Sequence, residues 1–69
     1  MKFNYSKLLG RMKECGFTQK QLAKDIGINK ATLSTKLNNH FSFSQDEILA
    51  ICELLNIPAS EISDYFYAV

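Results

Sequence analysis

The glycine at position 27 most constrains what this chain can fold into. It separates "TQKQLAKDI" from "INKATLSTKL", two short stretches with helical spacing of their apolar residues. Gly27 supplies the backbone freedom that a sharp helix stop requires, so the two stretches read as helices joined by a tight turn. The second is nearly stripped of large side chains. It offers Asn29, Lys30, Ala31, Thr32, Ser34, Thr35 and Lys36, with Leu33 and Leu37 as its core anchors. A helix that only supported a core would carry a wide apolar stripe, so this one is expected to make contacts.

The rest of the chain keeps the same periodicity. Tyr5, Leu8, Leu9, Met12 and Cys15 predict a first helix over about 5–15, ended by Gly16, with Phe17 closing the core. The second helix, about 18–26, opens on Thr18 and Gln21 as a capping box and buries Leu22, Ala23 and Ile26. Ile28 tucks into the core, and Asn29 caps a third helix over about 29–38, a role read ahead of any base contact. After the loop "NNHFSF", Ser44 and Glu47 form a second capping box. They open the most apolar helix, about 44–55, carrying Ile48, Leu49, Ile51, Cys52 and Leu55 and closed by Asn56. Pro58 opens a fifth helix, about 58–66, with Ile62, Tyr65 and Phe66 inward. No strand pattern, repeat or low-complexity linker interrupts the series. The fold class is all-α, a compact five-helix bundle in one domain over 1–69 that contains a helix-turn-helix.

Composition narrows the function classes. With 46% hydrophobic and 22% charged residues the chain reads as an ordered globular protein, and sixty-nine residues leave no second domain for ligand or catalysis. The start "MKFNYSKLLG" lacks the long apolar core of a signal peptide, and no run of about 18 apolar residues is present, so the expectation is a cytoplasmic protein without a membrane. Cys15 and Cys52 lie far apart at helical core spacing, and His40 is the lone histidine, so no metal site and no cofactor are expected. No carboxylate pair or nucleophile with its base stands at a catalytic spacing, so no enzyme is expected.

The net charge of +1 conceals a division. All eight basic residues fall in the first 36 positions beside only Glu14 and Asp25, so residues 1–40 carry +6. From Phe41 onward Asp46, Glu47, Glu53, Glu61 and Asp64 give −5 with no Lys or Arg, and the halves add to +1. One face suited to a polyanion and another suited to a different partner are expected.

The segment "TQKQLAKDIGINKATLSTKLNN" resembles the helix-turn-helix of the lambda-repressor-like family of small phage repressors, Cro proteins and bacterial regulators. The residues that carry the likeness are Thr18, Gln19, Leu22, Ala23, Gly27, Ile28 and Leu33, and the order of helices around them is also the family's. A chain that ends with its bundle is most like a small Cro-type member, with no small-molecule ligand. The resemblance implies a regulator that lays the third helix in the major groove of an operator duplex, as a homodimer on a palindromic site in a bacterial host cell. Carried over position by position, it implies base reading by Lys30, Ala31, Ser34 and Thr35, and phosphate contacts by Gln19, Lys20, Lys36, Asn38, Asn39 and His40. Backbone N–H groups around Asn38, Asn39 and His40 belong to that set, and Thr32 stands evenly between base contact and a first-turn position facing solvent or phosphate. Tyr65, Tyr67 and Val69 together exceed what a short final helix needs to bury, and they are expected at the dimer interface with Phe41. The alternative reading, kept open by the modest net charge and the acidic, aromatic C-terminal half, is a modulator or antirepressor that keeps the fold and acts mainly on a partner repressor protein.

Overall fold

The computed structural model describes residues 2–69; Met1, included in the domain by the sequence reading, lies outside the described residues. Its elements are α1 (Ser6–Glu14), α2 (Gln19–Ile26), α3 (Lys30–Leu37), α4 (Gln45–Leu55), a 3-10 turn (Ala59–Glu61) and α5 (Ile62–Phe66). The described residues contain no strand. The expected helix over 58–66 is thus two pieces, because Pro58 stays extended and the chain first makes a tight 3-10 turn.

Helix starts follow side-chain caps. Thr18 accepts from the Gln21 N–H, Asn29 from the Thr32 N–H, and Ser44 from the Glu47 N–H. The box at Ser44 and Glu47 is complete. The box expected at Thr18 is half formed, because the Gln21 side chain turns forward to donate to Asp25 Oδ1, one helical turn on.

Helix ends share one device. Gly16, Gly27, Asn39 and Asn56 each have a positive φ, between 54° and 83°. The next residue donates its N–H back five positions, Phe17 to Met12, Ile28 to Ala23, His40 to Thr35 and Ile57 to Cys52. This is the left-handed helix stop in which a following apolar residue normally turns onto the helix it ends. Phe17, Ile28 and Ile57 do so, and Ile57 is a core residue that periodicity alone does not reveal.

The core joins α1, α2, α3, α4 and α5 through Leu8, Leu22, Leu33, Ile51, Leu55 and Phe66, all fully buried. α2 packs on α3 and α4, and α1 packs on α5. Buried Ala23 lets α2 and α3 approach closely. Leu9 and Leu49, expected inside, are 40% and 53% exposed. Each follows an apolar neighbour, Leu8 or Ile48, that already holds the core seat, and consecutive helical positions point about 100° apart. Cys15 is half-buried and Cys52 buried, both free, and burial pushes the Cys52 thiol up from its ordinary pKa.

Aromatic rings close the bundle beside α5. Tyr67, Phe3, Tyr5, Phe43 and Phe66 form a chain of contacts with centroids 5.5–6.3 Å apart, mostly edge to face. Phe3 and Phe43 were not among the expected core residues, since neither belongs to a helix whose period could place it.

Candidate functional site

The site is built outward from the α2–α3 turn. Gly27, at φ 83°, ends α2, and nothing lies within 4 Å of the Cβ it lacks, so its presence answers to backbone conformation and not to crowding. Ile28 packs on the core and Asn29 caps α3, with Oδ1 2.7 Å from the Thr32 nitrogen. Leu33 then pins α3 at its midpoint. The helix has no pronounced apolar side: Leu33 alone is fully buried, and Lys30 and Ala31 are exposed at its start.

Of the four residues expected to read bases, Lys30 and Ala31 stand free. Ser34 and Thr35 are half-buried, and the Thr35 hydroxyl donates 2.7 Å to the Thr32 carbonyl. Lys20, Lys24 and Lys30 surround one open depression with Ile28 and Asn29 between them. Gln19 lies half-buried beside Lys20 in the first turn of α2. Lys24 thereby joins the cationic rim of the turn.

The other end of α3 is arranged differently. Lys36, expected on phosphate, places its Nζ on Glu47 Oε1 in an ion pair whose side chains are only 14% and 15% exposed. Glu47 Oε1 also accepts from the Ser44 N–H at 2.8 Å. Burial opposes ionisation of Glu47, but the bonds from Lys36 and Ser44 outweigh it and hold the carboxyl below its ordinary value of 4.5. The backbone N–H groups of Asn38, Asn39 and His40, expected to face phosphate, already donate to Ser34, Lys36 and Thr35. The Asn39 side chain is engaged as well. Its Oδ1 accepts from the Phe3 N–H at 2.8 Å and its Nδ2 donates to the Phe3 carbonyl at 2.9 Å. Asn38 Nδ2 turns back to the Ser34 carbonyl. His40 is exposed.

At the C-terminal end, Phe41, Tyr67 and Val69 are exposed, Phe41 to 67%. Tyr65, expected with them at an interface, is instead buried, with Lys7 Nζ 4.8 Å above its ring. It shares the inward side of α5 with Phe66, so it belongs to the core. The charge halves also meet. Lys7 lies 3.9 Å from Asp64, and Lys36 meets Glu47, so two of the five C-terminal acids are spent on N-terminal lysines. No helix among the described residues is long and apolar enough to cross a membrane.

Comparison with known proteins gives matches of two kinds. A family model described as "Protein of unknown function (DUF739)" matches residues 1–69. The chain belongs to that family. Among solved structures, this DUF739 member is similar to the solution structure of the modulator of repression (MOR) of the temperate bacteriophage TP901-1 from Lactococcus lactis. The two are 36% identical, with a TM-score of 0.81 over 97% of this chain and 90% of that one. No curated protein matches the chain.

Proposed function

We propose that this protein is a phage-type modulator of repression that acts mainly by binding a partner repressor protein, in the cytoplasm of a bacterial host and without catalysis. The observation that carries the reading is the 36% identity with the phage modulator, spread over nearly the whole of both chains. The C-terminal end of α3 supports it. Lys36, Asn39 and three backbone N–H groups are committed within the molecule, so a phosphate clamp on that side of the helix has little left to donate. The exposed Phe41, Tyr67 and Val69 offer apolar area suited to a protein partner or to a second copy of this chain.

One observation favours a second reading, in which the fold is used as in the lambda-repressor-like family and α3 reads an operator as a homodimer. Lys20, Lys24 and Lys30 converge beside the exposed start of α3, where a phosphate backbone would run if Lys30, Ala31, Ser34 and Thr35 met base edges. Replacing Lys30 and Thr35 together by Ala separates the two readings in a reporter strain carrying a phage-type repressor and its promoter. A modulator retains its effect on the reporter with the fold intact. Loss of the effect, with an unchanged helical circular-dichroism spectrum, favours the operator reader.

A further inference from the structure

Lys36 is the one cation in the second half of α3, one to six residues from the base-reading candidates Lys30, Ala31, Ser34 and Thr35. Left free on an outward helix, a lysine there would add attraction to any phosphate backbone the helix approached, whatever its sequence. It is not free. Glu47 reaches it from the first turn of α4, eleven residues away, and the pair is about five-sixths withdrawn from water. Glu47 is itself fixed by the Ser44 N–H, so the carboxylate that holds Lys36 cannot swing away without opening the start of α4. The remaining donors at this end are satisfied by Ser34, Lys36, Thr35 and Phe3.

From this geometry we infer that Glu47 sets the specificity of α3 by removing Lys36 from the reach of polyanions, leaving the C-terminal end of the helix electrically neutral toward whatever approaches it. The inference deepens the proposed function and rests on the reading that a protein, not a duplex, is the main partner of this chain. A neutral end next to the exposed Phe41 suits a protein face, whereas the lysine rim at the other end stays open. Glu47 acts through Lys36 and need touch no partner, so it is a positioning residue.

The test uses the full chain and a fluorescent random-sequence duplex, titrated by anisotropy from about 50 to 200 mM salt. Glu47→Gln keeps an oxygen for the Ser44 N–H and releases the lysine charge. It is expected to bind the duplex about threefold to tenfold more tightly at the lowest salt, with a log–log salt slope steeper by about 0.9, the value for one added phosphate contact. The neutral pair Lys36→Met with Glu47→Gln leaves no unpaired charge behind. It is expected to bind within about twofold of the parent with the same slope. An inference that Lys36 is withheld is overturned if the neutral pair binds more weakly with a shallower slope, which means that Lys36 already touches phosphate. It is equally overturned if Glu47→Gln is folded and gains nothing. Should Glu47→Gln fail to fold, the neutral pair decides alone. Failure of the protein-partner reading looks different: offered a library of random duplexes, the parent itself would select a defined operator, whatever the variants do.

Discussion

The two ends of α3 are held by opposite means. At its start the helix is set by a glycine stop, by Ile28 turned onto the core and by the Asn29 cap, all within four residues of chain. At its close the left-handed stop recurs at Asn39, but the following residue is the exposed His40 and not an apolar one. The apolar contact that accompanies the stops after α1, α2 and α4 is missing. Long-range polar ties replace it, Lys36 to Glu47 and Asn39 to Phe3. The difference teaches where charge can be spent. An end secured by packing leaves Lys30 free to meet a partner, and an end secured by polar groups consumes the very side chains that would have met one.

Changes to these anchors should separate the ends. The largest effect belongs to Leu33, which both ends share. Leu33→Ala removes a fully buried side chain and is expected to cost about 3 kcal/mol in urea unfolding, enough to populate the unfolded state of so small a domain. Breaking the polar end comes next. Lys36→Met strands Glu47 in a largely desolvated site and is expected to cost about 2 kcal/mol, most of it recovered in the Lys36→Met, Glu47→Gln pair.

The same pair has a pH signature. The folded carboxyl of Glu47 lies below its ordinary 4.5, so its stabilisation is fully present above that value and is lost as pH falls through the lower folded value. Thermal melts between pH 5 and about 3 should therefore slope less steeply in the neutral pair than in the parent. Smaller is the effect of Gly27→Ala, expected at about 1 kcal/mol from backbone strain alone, since the added methyl meets nothing. Asn39→Gly keeps the positive φ and loses only the Phe3 clamp. We expect about 1 kcal/mol or less, together with faster hydrogen exchange at the Phe3 amide.

The contrast between the ends also explains what the sequence disclosed. The α2–turn–α3 unit is legible because its determinants are local: Thr18, Gly27 and Asn29 each act within a few residues of their own position. Glu47 was legible as a cap for Ser44. Its second partner was not, because nothing in a helical period links position 47 to position 36. Asn39 binds Phe3 across 36 residues and left only a weak trace, an asparagine placed where a left-handed stop is favoured. The exposed and buried members of Leu8–Leu9, Ile48–Leu49 and Tyr65–Tyr67 could not be sorted either. In each pair both residues are apolar or aromatic, and only the packing of neighbouring helices decides which one turns inward.

The most direct test of the proposed function is a competition on DNA. A labelled operator duplex is loaded with the phage-type repressor encoded in the same genome, the present protein is titrated in, and anisotropy reports the complex. Binding to the repressor predicts that the repressor–operator signal changes near equimolar protein, at concentrations where the protein alone leaves the duplex unoccupied. An unaltered repressor–operator complex, with tight binding of the protein by itself to an inverted repeat, would contradict it and make this chain an operator reader in its own right.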